Sequence, residues 1–218
     1  MTTALLQTTY FGPIQWYQKL YRYNHCTIEQ YDSFQKQTYR NRCVIATANG
    51  TQALTVPVES DKRAVISDKR AVISDKQTIK DVRISDHNQW RRVHWNALQS
   101  AYSESPFFEY YADDLHPFFE QKYDFLLDFN EAIRQKVCEL IDIHPQVSYT
   151  TEYTSSIQHH PSSISDFRDV INAKHPLPDA DFAPKAYWQV FHHKHGFLPN
   201  LSILDLLFNM GPESIFYL

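Results

Sequence analysis

Glycine is nearly absent from this chain, and that narrows the folds and sites open to it. The 218 residues contain four glycines, Gly12, Gly50, Gly196 and Gly211, where average usage of ~7% would give roughly fifteen. No two lie close together. A dinucleotide-binding turn needs three glycines within six positions, and a phosphate-binding loop of the Walker type needs two flanking a lysine signature. Neither can be written here. Any phosphate site must therefore use side chains and ordinary helix N-termini, and the sequence carries no cofactor signature.

Charge and cysteine usage narrow the reading further. Lys and Arg number 21 against 25 Asp and Glu, a formal net charge of −4, so the chain as a whole has no electrostatic pull towards nucleic acid. The three cysteines, Cys26, Cys43 and Cys138, are odd in number and form no C-x-x-C, which argues against a disulfide framework or a thiolate zinc site. The N-terminus has neither a basic start nor a long apolar run, so a signal peptide is not expected. No stretch approaches the ~20 apolar residues of a membrane span. These features point to a reduced, cytoplasmic protein.

The chain reads as one α/β domain over 1–218. Residues 1–86 form mostly a sheet part, 87–143 a helical part, and 144–218 irregular loops with a C-terminal helical segment. The opening predicts a β-α-β unit: Leu5 and Leu6 in a strand, Pro13 starting a helix with Ile14, Tyr17, Leu20 and Tyr21 at helical spacing, then Cys26 and Ile28 in a second strand. The sheet is expected to be mixed, with helices packed around it. Asn49-Gly50 is the preferred pair for a two-residue hairpin turn. That turn would set Ile45 opposite Leu54 and Cys43 opposite Val56. One face would hold Cys43, Ile45, Leu54 and Val56, the other Arg40, Arg42, Val44 and Thr55. Residues 60–79 repeat SDKRAVI, SDKRAVI and SDKQTI, a duplication enlarging a surface loop. Val82 and Ile84 read as a further strand. Asp86 and Gln89 stand in capping-box positions before a helix with Trp90, Val93, His94, Ala97, Leu98 and Ala101 on one stripe. A long amphipathic helix follows, with Leu126, Phe129, Ile133, Val137 and Leu140 inward. Near the C-terminus Ser202 and Asp205 form a cap pair, and Gly211-Pro212 stops the last helix.

The segment QKQTYRNRC holds the first candidate site. Arg40 and Arg42 at spacing two would share a strand face, and their planar forks match phosphate or carboxylate oxygens. Lys36 precedes them in the loop. His94, on the stripe of a Trp-rich helix, is a candidate general base. The plainer alternatives are a solvated, carboxylate-paired arginine face and a core histidine bonded to a backbone carbonyl. Cys43 could act as a nucleophile with His94, although its face is apolar and buried cysteine usually behaves as a small hydrophobe. His192, His193, His195, His159 and His160 lack the carboxylates and spacing of a metal set.

Taken together, YFGPIQWYQKL, FQKQTYRNRCVI, NGTQALTVPV, Trp90-x3-His94-Trp95, AYSESPFFEYY and GFLPNLSILDLLFNMGPES resemble the WbqC-like family of bacterial proteins. The resemblance spans nearly the whole chain, apart from the duplicated segment and parts of 144–186. It implies a role in building a surface polysaccharide such as an O-antigen, by transfer of an acyl or aminoacyl group to a nucleotide-linked amino sugar. Arg40, Arg42 and Lys36 would then hold an anionic small-molecule substrate, and Tyr10 and Trp90 would stack on a ring. His94 would be the base and Asn41 would orient substrate or donate to an oxyanion. Nucleic acid would enter only as an aminoacyl-tRNA donor. The contrasting reading is a non-catalytic scaffold of surface assembly that presents its aromatic C-terminal segment to a partner.

Overall fold

The structure is a computed structural model in which residues 2–59, 77–153 and 164–218 are described. Most of the duplicated segment, and His159 and His160, lie outside the described residues. In chain order the elements are β1 (Thr3–Gln7), α1 (Ile14–Arg22), β2 (His25–Glu29), β3 (Arg42–Thr47), β4 (Gly50–Thr55), α2 (Trp90–Tyr102), α3 (Phe108–Leu115), α4 (Pro117–Glu120), α5 (Leu126–Leu140), β5 (Val147–Tyr149), β6 (Ile164–Asp166), α6 (His192–His195) and α7 (Ile203–Met210).

The β-α-β opening is present. β1 and β2 pair in parallel, with Thr3 opposite His25 and Gln7 opposite Glu29. β5 joins β2 and β6 joins β1, both parallel, giving the order β5-β2-β1-β6. β1 is thus central, and its Ala4–Gln7 run is buried, as a strand covered on both faces requires. β5 and β6 arise inside the 144–186 stretch that reads as irregular. At three residues each they are too short to show a period of two. Residues 82–84 form only single bridges, Val58 to Ile84 and Arg83 to Phe125, instead of a strand.

The hairpin corrects the turn and keeps the faces. Thr47 pairs with Gly50 and Cys43 with Leu54, so Ala48 and Asn49 are the turn. Gly50, at φ 106°, opens β4. Neither Ala48 nor Asn49 has positive φ, whereas a type I′ turn needs it at both central residues. The arrangement is a turn closed by a left-handed glycine, the other common hairpin solution. The partner shift is two residues, an even number, so every side chain stays on its expected side. Cys43, Ile45, Leu54 and Val56 are all buried. β3 and β4 form their own two-stranded sheet.

Residues 201–203 stitch the hairpin to the β-α-β unit. Ser202 N–H donates to the Val44 carbonyl at 2.8 Å, Ile203 N–H to Gly12 at 2.9 Å, and Ile14 N–H to Leu201 at 3.0 Å. The Ser202 hydroxyl donates to the Phe11 carbonyl at 2.8 Å while accepting from Leu204 N–H as the cap of α7. Asp205, expected to complete that cap, turns inward instead. Its carboxylate accepts from Tyr102 (2.8 Å), Tyr187 (2.6 Å) and Gln189 (2.9 Å). The Tyr102 hydroxyl also takes Ala46 N–H at 3.1 Å. This satisfied network joins β3, α2, α7 and the 187–189 segment, as buried polar groups require.

α2 starts later than its capping signal. Asn88 and Gln89 are left-handed, at φ 63° and 47°, and the Asp86 carboxylate receives Arg91 and Lys122 rather than helix N–H groups. Trp90, His94, Leu98 and Ala101 face inward as expected. Val93 is 52% exposed, and Tyr102 takes the next inward position. α5 buries Leu126, Phe129, Ile133 and Val137, with Leu140 partly covered. Among the described residues no helix is long and apolar enough to cross a membrane.

Candidate functional site

In open parallel sheets, ligands bind beyond the carboxyl ends of the strands. Here those ends are Gln7, Glu29, Tyr149 and Asp166. The chain leaving β2 returns over β1 as a strap, residues 38–42. Tyr10 N–H donates to the Tyr39 carbonyl at 2.9 Å, and Asn130 of α5 donates its side-chain amide to the Arg40 carbonyl at 2.8 Å. β3 begins only at Arg42. Strand alternation therefore does not reach Arg40, and the two arginines diverge.

One side of the site is a charged cluster. Glu29 is buried and accepts from Tyr31 N–H at 2.8 Å and the Thr150 hydroxyl at 2.9 Å. Arg168 lies 3.4 Å from its other oxygen and forks onto Asp166, with Nη2 at 2.6 Å and Nε at 3.0 Å. Arg40 is buried against Asp32. Burial lowers its pKa, and the Asp32 carboxylate opposes that shift.

The other side gathers on the Thr55–Val56 pair at the end of β4. Arg42 Nε donates to the Thr55 hydroxyl at 3.2 Å. Asn41 donates its amide to the Val56 carbonyl at 2.8 Å, and Val56 N–H returns to the Asn41 carbonyl at 2.8 Å. His94 faces the Thr55 carbonyl, and its Nδ1 lies 2.9 Å from the Tyr10 hydroxyl. A carbonyl only accepts, so the neutral ring carries its proton towards Thr55 and Nδ1 accepts the Tyr10 proton. Burial holds the imidazole pKa down at about 4, more than the Thr55 carbonyl raises it. His94 is therefore neutral at pH 7. Trp90 packs on it edge-on at 5.1 Å.

The structure packs four of the seven sequence candidates together: Tyr10, Trp90 and His94 in the core on the Cys43 side of the hairpin, with Asn41 beside them at Val56. Strand alternation puts Arg42 and the Thr55 side chain on the opposite face, so Arg42 borders the group only through Thr55. Arg40 is committed to Asp32, and Lys36 is exposed on the preceding loop. Of the guanidiniums of Arg40, Arg42 and Arg168, that of Arg42 alone lacks a carboxylate partner among the described residues. The Asn41 amide nitrogen is spent on Val56, which leaves Oδ1 without a partner there. Cys43 is buried, and burial pushes its thiol up to about 12, so it behaves as an apolar residue. His195 Nε2 lies 3.2 Å from the Ala48 carbonyl. Sequence reasoning missed Glu29, Asp32, Asp166 and Arg168. Glu29 was findable as the last residue of the second strand. Arg168 lies in a stretch without periodicity and left no signal.

A family model described as WbqC-like protein family matches residues 7–217. A Mycobacterium tuberculosis (strain ATCC 25618 / H37Rv) protein, described as uncharacterized protein Rv1507c, is 29% identical over 213 residues, covering 86% of this chain and 85% of its own. No solved structure matches.

Proposed function

The chain belongs to the WbqC-like protein family, and from that premise we propose that it transfers an acyl or aminoacyl group to a nucleotide-linked amino sugar during surface-polysaccharide synthesis. The observation that carries this reading is the Arg42 guanidinium. It is half-buried, fixed by one bond to Thr55, and free of any carboxylate among the described residues. Such a fork suits a phosphate oxygen pair. Lys36 would assist from the rim, while Arg40 would order the strap through Asp32.

In the transfer, the sugar amine attacks the acyl carbonyl carbon, an amide bond forms, and the bond to the donor's leaving atom breaks. The amine proton would pass to the Tyr10 hydroxyl as that hydroxyl gives its own proton to His94 Nδ1, unprotonated at neutral pH, and the same relay would return a proton to the leaving group. Asn41, with only Oδ1 uncommitted, would accept from a substrate donor instead of donating to an oxyanion. Tyr10 and Trp90, buried against His94, would position its ring rather than stack on the sugar. We place the step in the cytoplasm, a setting that suits three free, buried cysteines.

Titration calorimetry with uridine diphosphate glucosamine tests this reading. Arg42→Lys is expected to weaken binding by about tenfold or more, because an ammonium cannot form the planar fork, with melting temperature unchanged. Equal affinities would remove the anion role from Arg42.

The second reading, a non-catalytic scaffold, draws on Trp188 and Phe216, which are 53% and 71% exposed. Under it, Trp188→Ser with Phe216→Ser would abolish surface assembly while Arg42→Lys would leave it intact. The transfer reading requires the reverse.

A further inference from the structure

A second cleft lies at the amino end of the sheet, one strand length of roughly 16 Å from the carboxyl-end site. It holds about 230 Å³ between the end of α1, the start of β2 and the turn after α5. That size is below the usual small-ligand range, ~300–1,000 Å³, as for a groove that seats one ring of a longer ligand. Tyr21, Tyr23, Asn24, Asp142, His144 and Gln146 line it.

The chemistry of the lining is specific in kind. Tyr21 leaves 49% of its surface uncovered on the outer side of α1, a flat aromatic face beside the cleft. Tyr23 is held edge-on by Phe167 at 5.4 Å, so the wall it forms is fixed. Asn24 uses its carbonyl oxygen on Thr2 and keeps its amide N–H groups uncommitted among the described residues. The Gln146 carboxamide is exposed and likewise uncommitted, while the backbone carbonyl of Gln146 anchors Cys26 N–H at 2.8 Å. Asp142 and His144 lie 3.3 Å apart. No lysine or arginine lines the cleft, so nothing in it draws a phosphate.

An aromatic face beside uncommitted planar amides and a carboxylate, without a cation, matches a neutral sugar. The ring's C–H face stacks on tyrosine, and its hydroxyls both donate and accept. We propose that this cleft binds a neutral saccharide, separately from the carboxyl-end site. The proposal does not depend on the transfer reading, since it uses none of that site's residues.

Saturation-transfer NMR with chitotriose and maltotriose on the full chain tests it. At least one is expected to receive transfer, with Tyr21 and Tyr23 ring resonances shifting. Tyr21→Ala should weaken binding by about tenfold, whereas Tyr21→Phe keeps the stacking face and should bind as the parent does. Asn24→Ala supplies an independent loss if Tyr21→Ala does not fold. Absence of transfer to either sugar, or binding that survives both Tyr21→Ala and Asn24→Ala unchanged, would overturn the proposal. The outcome leaves the uridine diphosphate glucosamine titration untouched, so the two ideas can fail separately.

Discussion

Asp179→Ala is expected to cost the fold about 3–5 kcal/mol, the range for stranding one member of a buried ion pair. Lys19 is fully buried on α1, with its ammonium 2.7 Å from Asp179 Oδ2 and 4.5 Å from the centre of the Phe167 ring. Gln15 donates to the same carboxylate oxygen at 2.8 Å. Burial alone would raise the Asp179 pKa, but the Lys19 and Gln15 hydrogen bonds outweigh it and hold the carboxyl below its usual range. Alanine would leave an ammonium in the core with an aromatic face and no anion. Urea unfolding reads the loss as a lower midpoint at constant slope. The double replacement Lys19→Met with Asp179→Leu should recover more than half of it, because removing both charges also removes their desolvation cost. A single-variant loss below about 1 kcal/mol would class the pair with solvent-screened surface bridges.

The second large effect is a loss of stability in mild acid. His94 titrates near 6.5 when unfolded and at about 4 when folded. Between those values the unfolded chain binds the extra proton, so unfolding becomes easier as pH falls. The stability contributed by neutral His94 is complete above pH 6.5 and disappears progressively as the solution approaches pH 4. At ~1.4 kcal/mol per pH unit the span amounts to about 3 kcal/mol. His94→Gln should flatten this stretch of the curve, measured by urea midpoints across the acid range. Asp205, whose carboxyl is pushed above its ordinary value chiefly by burial, acts with the opposite sign and persists in both proteins. A His94→Gln curve as steep as the parent's would place the imidazole in contact with water.

What the sequence disclosed follows the length and regularity of each element. The β-α-β opening was legible because five-residue strands and a nine-residue helix carry their own periods. The hairpin faces were legible although the turn was misplaced, because an even slip leaves alternation intact. β5 and β6 were hidden by their three-residue length. The late start of α2 was hidden because left-handed Asn88 and Gln89 follow from tertiary packing and not from a glycine. The inward placing of His94 was legible from the helical stripe, whereas its hydrogen bond with Tyr10, 84 residues away, was not. The fate of Arg40 was not. Its partner Asp32 lies eight residues upstream in a loop, and no periodic rule connects them.

In the proposed reaction the hairpin presents Arg42, whose guanidinium has no carboxylate partner among the described residues, to a phosphate-bearing sugar. Mass spectrometry of ligands retained through native purification tests that role most directly, run on the parent and on Arg42→Lys side by side. The account predicts a nucleotide-linked sugar with the parent and its loss from the variant. A parent that carries only a bound peptide, or a nucleotide sugar retained equally by both proteins, would contradict it.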